Sequence, residues 1–226
     1  MPKATMKKMR FSILTIFPRI LDSYLQESLL KKAQSNKLIE INAINIRDFS
    51  DTPHNQVDDR PFGGGPGMVL KVDPIFDALK SIEKKAPKKE KRRIILLSTR
   101  GKKFSQVEAQ RLARYDHLVF ICGRYEGVDE RVAEHLADEE LSLGPFVLSG
   151  GELPALVVME AVSRLHKGFM HTYESLEDVK GSYPVYTRPE RFTRKGMKRA
   201  WAVPKELLSG DHARIAAWRA QFGTHE

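Results

Sequence analysis

Three glycine-bearing runs hold the residues best suited to ligand chemistry: Ser98-Thr99-Arg100-Gly101, Cys122-Gly123-Arg124-Tyr125-Glu126-Gly127, and the stretch from Leu143-Gly144 to Ser149-Gly150-Gly151. They belong with three segments of strand character: Ile94 to Leu97, His117 to Ile121, and Leu141 to Leu148, the last read as a strand pair or bent strand. In a parallel sheet all three loops leave the carboxyl edge, where open α/β folds bind ligands, so the order predicts one shared pocket. A single glycine of this kind usually makes a tight turn and nothing more, but three in succession point to a site. None of the runs matches the dinucleotide fingerprint or a phosphate-binding loop ending in Lys-Ser/Thr. Gly63-Gly64-Gly65-Pro66-Gly67 could cradle a phosphate, yet no strand directly precedes it and no Lys-Ser/Thr follows. The seven histidines lack metal-ligand spacing, and Cys122 beside Gly123 reads as a small buried residue, not a nucleophile.

The elements that must position these loops alternate regularly. Arg10 to Phe17 reads as a buried strand, Ile20 to Ser35 as a helix with Leu21, Leu25, Leu29 and Leu30 on one face, and Leu38 to Ile46 as a strand. Arg47 to Gly67 has no period and is rich in Asp, Pro and Gly, and a loop that long is usually functional or disordered. Asp73 is the expected N-cap of a helix running to about Lys85, with Pro74 in its first turn, after which the basic run Lys84 to Arg93 begins. Ser105 and Glu108 form a capping-box pattern for a helix to about Arg114, Asp129 to Leu136 looks helical, and Pro154 to Leu165 is an apolar helix. This alternation predicts an α/β fold with a mostly parallel sheet covered by helices on both faces. The expected division is a main domain over 1–165, an irregular linker over 166–187, and a small, basic, helix-biased domain over 188–226 with Asp211 capping Ala213 to Gln221.

Composition narrows the function classes. The 226 residues are 41% hydrophobic and 30% charged, enough apolar surface for a globular core. Lys and Arg number 38 against 29 Asp and Glu, a formal charge of +9 that draws polyanions, so nucleic acid is the first partner to consider. The single cysteine cannot form an intrachain disulfide and fits a reducing, cytoplasmic setting. The apolar run Phe11 to Phe17 follows basic residues as in a signal peptide, but it is short and lacks a small-residue cleavage site, so a first strand is the better reading. No apolar stretch approaches the ~20 residues that cross a bilayer, and no membrane association is expected.

Four longer runs carry a resemblance: Val57-Asp58-Asp59-Arg60-Pro61-Phe62-Gly63-Gly64-Gly65-Pro66-Gly67-Met68, Cys122 to Arg131, Phe146 to Pro154 and Tyr186-Thr187-Arg188-Pro189-Glu190. In content and order they resemble the bacterial tRNA (guanine-N1)-methyltransferases, over nearly the whole chain. The resemblance implies the SPOUT class, with a trefoil knot in the C-terminal part of the sheet domain, a homodimer with shared active sites, and tRNA as the other partner, bound by the small helical domain over 188–226. It implies methyl transfer from S-adenosyl-L-methionine to N1 of guanosine 37, beside the anticodon, and leaves open whether Mg²⁺ assists. By position, the cofactor pocket would use Leu96, Leu97 and Ser98 from the first run, and Gly123, Tyr125 and Glu126 from the second. From the third it would use Leu143, Gly144, Pro145, Phe146, Val147 and Leu148, followed by Gly150, Gly151 and Pro154.

The reaction itself states what else is needed. A sulfonium methyl is already electrophilic, so the protein must take the proton from guanine N1 while charge moves onto O6, which requires a base and a cation. The resemblance assigns these roles to Asp178 and Arg164, with Glu177 the alternative base; by residue type alone Asp178 reads as a solvated loop acid and Arg164 as a helix-terminal cation. A knotted methyltransferase acting on ribosomal RNA, and a non-catalytic RNA-binding module, are the competing readings; the Asp58 to Met68 and Tyr186 to Glu190 runs disfavour the first, and cofactor binding would separate the second.

Overall fold

The computed structural model describes residues 8–170 and 183–222. The chain divides into two compact units, residues 1–170 and 171–226. Along the first unit come β1 (Met9–Thr15), a 3-10 turn (Pro18–Leu21), α1 (Asp22–Leu25), α2 (Ser28–Ser35), β2 (Ile39–Asn45) and a second 3-10 turn (Ile46–Phe49). Then follow β3 (Asp58–Asp59), β4 (Val69–Leu70), α3 (Val72–Lys85), β5 (Arg92–Lys103), α4 (Gln106–Leu112), β6 (His117–Cys122), α5 (Glu130–His135), β7 (Glu139–Ser142) and α6 (Glu152–Arg164).

Five of the strands form one sheet in the order β2-β1-β6-β5-β7, every pair parallel. Parallel strands need crossovers, and the helices that supply them cover both faces, so β6, the middle strand, is apolar at every position but His117. β6 is buried at all six positions, and its side chains alternate between two cores. Leu118, Phe120 and Cys122 pack with Phe11, Ile13 and the inner faces of α2, α4 and α6, while Val119 and Ile121 pack with Ile75, Leu79 and Ile82 of α3 and Val132 of α5. Burying a side chain of this size stabilises the fold by roughly 1.5–3 kcal/mol.

Several local expectations are corrected. The Ile20–Ser35 helix breaks at Gln26-Glu27, and Ser28 starts α2 with φ of 50°. α3 begins one residue before Asp73, with Lys71 at the N-cap and Asp73 inside the first turn. Ser105 is the N-cap of α4 but its side chain makes no capping bond, and the Glu108 carboxylate is drawn to Lys102 at 2.6 Å and Arg111 at 2.8 Å. β5 does not stop at Leu97; it shifts register against β7 between Leu97 and Lys102 and continues to Lys103. Gly101 permits this, since a Cβ there would lie 2.5 Å from the Glu140 and Leu141 backbone, the close approach for which a strand glycine is suited. β7 ends at Ser142, so the expected strand over Leu141 to Leu148 is instead a short strand followed by an irregular loop. Within the stretch expected to be irregular lies β3, which pairs antiparallel with β4 just beyond it, Asp58 opposite Leu70 and Asp59 opposite Val69.

The second unit contains the hairpin β8 (Arg191–Phe192) and β9 (Trp201–Ala202), a 3-10 turn (Lys205–Leu208) and α7 (His212–Ala220). Asp211 caps α7 as expected, accepting from the Ala213 and Arg214 amides at 2.9 and 3.2 Å. The hairpin was not foreseen in a segment read as helix-biased.

Candidate active site

The three glycine-bearing runs meet in one cleft of about 530 Å³ at the carboxyl ends of β6 and β7 and the middle of β5, where its register shifts. Leu96, Leu97 and Ser98 line it from β5; Gly123, Tyr125 and Glu126 from the loop after β6; Leu143, Gly144, Phe146, Val147, Leu148, Gly150 and Gly151 from the loop after β7; and Pro154 from the first turn of α6. Pro145 lies in the same loop but is not among the lining residues. Thr99, Arg100, Arg124 and Glu130 also line the cleft, although the expected set omits them. Arg100 and Glu130 pair at 2.6 Å on the rim; both are more than half exposed, so the pair contributes at most about 1 kcal/mol.

Each loop is held by its own contacts. After β6 the chain turns tightly, the Gly127 amide donating to the Arg124 carbonyl at 3.0 Å, with Tyr125 at φ 57° and Gly127 at φ 125°. The left-handed backbone at Tyr125 costs on the order of 1 kcal/mol or more, and neighbouring bonds hold it there. Those bonds come from Met68 and Leu70. The Glu126 amide donates to the Met68 carbonyl at 3.0 Å, Leu70 donates to Gly127 at 3.0 Å, and Asp129 donates to Leu70 at 2.9 Å. Gly67, with φ of 78°, lets the Glu126 side chain lie against the backbone, since a Cβ there would be 2.5 Å from Glu126 Cγ.

The third loop is pressed directly onto the second. The Gly151 amide donates to the Gly123 carbonyl at 3.0 Å, and a Cβ on Gly151 would lie 2.6 Å from Cys122 Cα. A buried ion pair fixes this crossing. Glu152 Oε2 and Arg124 Nε are 3.0 Å apart with side-chain exposures of 3% and 16%. Thr15 Oγ1 donates to Glu152 Oε1 at 2.5 Å, Arg124 also donates to the Ser149 carbonyl at 3.2 Å, and its guanidinium lies 4.9 Å from the Phe17 ring centroid. Strand β1, the β6 loop, the β7 loop and the start of α6 are thereby tied at one point. Arg124 and Glu152 stand within the runs that carry the family resemblance, with no role of their own assigned there; the signal for Glu152 is an acid just ahead of an apolar helix.

Cys122 is fully buried beneath the crossing, and burial, reinforced by the nearby Glu152 carboxylate, pushes its thiol well above the ordinary range. It remains a thiol at neutral pH and is unsuited to nucleophilic attack. Arg164 ends α6 and is not among the lining residues. Ten residues separate it from Pro154, about 15 Å along a helix. Asp178 and Glu177 lie outside the described residues.

Comparison with known proteins then identifies the lineage. Residues 9–225 match the family model described as tRNA (Guanine-1)-methyltransferase TrmD. The chain is 48% identical over 216 residues to the tRNA (guanine-N(1)-)-methyltransferase of Staphylococcus carnosus, covering 93% of this chain and 84% of the relative. It is 45% identical over 218 residues to the protein of the same name from Ruminiclostridium cellulolyticum, covering 94% and 90%. Among solved structures, the tRNA (m1G37) methyltransferase from Aquifex aeolicus superposes with a TM-score of 0.78 at 40% identity, covering 95% of this chain and 90% of that one. The chain, matched over nearly its full length, therefore belongs to the tRNA (guanine-N1)-methyltransferase family.

Proposed function

We propose that the chain transfers a methyl group from S-adenosyl-L-methionine to N1 of guanosine 37 in tRNA. The observation that carries this reading is the family match over residues 9–225, which spans the sheet unit and the small C-terminal unit together.

The cleft suits such a donor. Its volume is within the range of small-molecule sites, and it combines backbone polar groups with exposed apolar surface from Phe146, Val147 and Leu148. Gly123 leaves open the space that a Cβ would fill, its nearest neighbours there being Val128 Cγ1 at 3.6 Å and Gly127 Cα at 3.9 Å. When bound, the donor supplies an electrophilic sulfonium methyl. The chain's own residues must do the rest: Asp178, or Glu177 beside it, accepts the N1 proton, and Arg164 stabilises charge developing on O6. Holding guanine and donor in one orientation supplies a further part of the rate.

Two architectural features belong to the same reading. The β7 loop crossing the end of β6, with Gly151 on Gly123, suits the trefoil knot of the SPOUT class. A homodimer with shared sites accounts for the distance of Arg164 from its own chain's cleft. It also accounts for exposed apolar side chains at Leu153 and Val157, one turn apart on α6, and at Phe17 and Ile20. Among the described residues no helix is long and apolar enough to cross a membrane, and we place the enzyme in the cytoplasm with its tRNA.

The test is tritium transfer from labelled S-adenosyl-L-methionine to tRNA, with the product nucleoside identified and the assay repeated with and without chelator to read any Mg²⁺ requirement. N1-methylguanosine at position 37 is the expected product; label in ribosomal RNA alone, or none, would overturn the reading.

A further inference from the structure

The hairpin of β8 and β9 carries an aromatic surface that is left open among the described residues. Phe192 and Trp201 stack with ring centroids 5.5 Å apart and planes 25° apart, and the Arg194 guanidinium lies 4.7 Å from the Phe192 centroid. Trp201 is nevertheless 70% exposed. The other tryptophan of the chain, Trp218, contacts Tyr186 at 6.2 Å and Phe222 at 4.7 Å and serves the packing of α7. Exposing most of an indole surrenders the stabilisation its burial would give, so this placement calls for a partner.

The surrounding charge indicates which partner. Residues 193–200, which join the two strands, include Arg194, Lys195, Lys198 and Arg199 and no acidic residue, and Arg191 extends the charge into β8. An open indole face beside such a cluster matches the two surfaces of an unpaired nucleotide: the base stacks on the ring, and the flanking phosphates meet the cations.

The geometry points to Trp201 as a stacking platform for an unpaired nucleobase of the RNA substrate, with Arg194, Lys195, Lys198 and Arg199 on the adjoining phosphates. This rests on tRNA being the substrate. Stacking tolerates any base, so the hairpin strengthens binding and orients the RNA without selecting a sequence.

The test uses full-length protein. In a Trp218→Phe background Trp201 is the sole indole, and its fluorescence should be quenched as tRNA is titrated in. Trp201→Ala should weaken tRNA binding about tenfold to a hundredfold, Trp201→Phe should restore most of it, and cofactor affinity by calorimetry should stay at the wild-type value. Replacing the four loop cations by Gln should flatten the dependence of tRNA affinity on salt, whereas Trp201→Ala should leave that slope unchanged. If wild type methylates tRNA but Trp201→Ala binds it equally tightly, or saturating tRNA leaves Trp201 fluorescence unaltered, the platform is refuted and the enzymatic reading stands. If wild type neither binds nor methylates tRNA, the enzymatic reading fails and the platform falls with it.

Discussion

Gly123 and Gly151 touch where two loops of the cleft cross, and a methyl group added to each should have opposite consequences. On Gly151 the new carbon would lie 2.6 Å from Cys122 Cα, 3.0 Å from Cys122 Cβ and 3.2 Å from the Gly123 amide nitrogen. Two of these neighbours are backbone, so the loop itself must move, breaking or stretching the 3.0 Å bond from the Gly151 amide to the Gly123 carbonyl. Forced overpacking of this kind costs about 1–3 kcal/mol. In a chain of this size that corresponds to a fall in melting temperature of roughly 2–12 °C. On Gly123 the new carbon meets nothing closer than 3.6 Å, and the backbone there is outside the left-handed region, so Gly123→Ala should melt at or slightly above the wild-type temperature. Gly123, Gly127 and Val128 all line the cleft, so the added methyl should crowd a ligand there, and about 1–3 kcal/mol of such overpacking should weaken S-adenosyl-L-methionine binding about fivefold to a hundred-and-fortyfold. Differential scanning calorimetry and titration calorimetry on the two variants read both effects. A Gly123→Ala protein that binds the cofactor normally, or a Gly151→Ala protein that melts like wild type, would show that the assignment of these two faces is wrong.

Three further outcomes are expected. Asp178→Asn should lower the methylation rate about a hundredfold or more with cofactor affinity retained, and mixed dimers with the pocket-blocked Gly123→Trp should regain activity; a dead Glu177→Gln beside an active Asp178→Asn would move the base by one residue. Glu152→Gln leaves Arg124 buried without its counter-charge and should cost about 3–5 kcal/mol in denaturant unfolding, a loss partly recovered by adding Arg124→Met; a cost below about 1 kcal/mol would remove this pair from the list of elements that hold the crossing. Burial, aided by the Arg10 charge and opposed by Glu90, lowers the pKa of His117, so the unfolded chain takes up its proton first as pH falls below the ordinary value of about 6.5. Stability should therefore be constant above that pH and decline below it, and His117→Gln should shrink the loss between pH 7.5 and 5.5; an identical decline in the variant would assign the effect to other groups.

Where the sequence could be read, the signal was local. The apolar runs in β1 and β6, the Asp211 cap, and the punctuation of Gly123, Gly144 and Gly151 are decided by a residue and its near neighbours, and they led directly to a parallel sheet with one cleft at its carboxyl edge. Two of the misreadings share one cause, tertiary contact overriding a local preference. Ser105-x-x-Glu108 has the form of a capping box, yet Glu108 is 4% exposed and its carboxylate bridges Lys102 and Arg111. Ser98 to Gly101 has the composition of a turn, yet β7 alongside supplies the pairing that carries β5 on to Lys103. The β8–β9 hairpin is two residues per strand, too short for alternation to register.

The lock at the loop crossing explains why the type of the site was legible and its geometry was not. Glu152 finds Arg124 28 residues away and Thr15 137 residues away, and no periodicity encodes such separations. Read alone, Glu152 is an acid favoured by the amino end of α6, a role worth less than about 1 kcal/mol on an exposed helix. Its 2% exposure changes the argument: a carboxylate so buried is tolerated only if paired and hydrogen-bonded on both oxygens, and Arg124 and Thr15 meet that demand. Because one of these partners lies in β1 and the other in the β6 loop, satisfying the charge fixes where the β7 loop must cross. The glycines make that crossing sterically feasible, and the buried pair makes it unique.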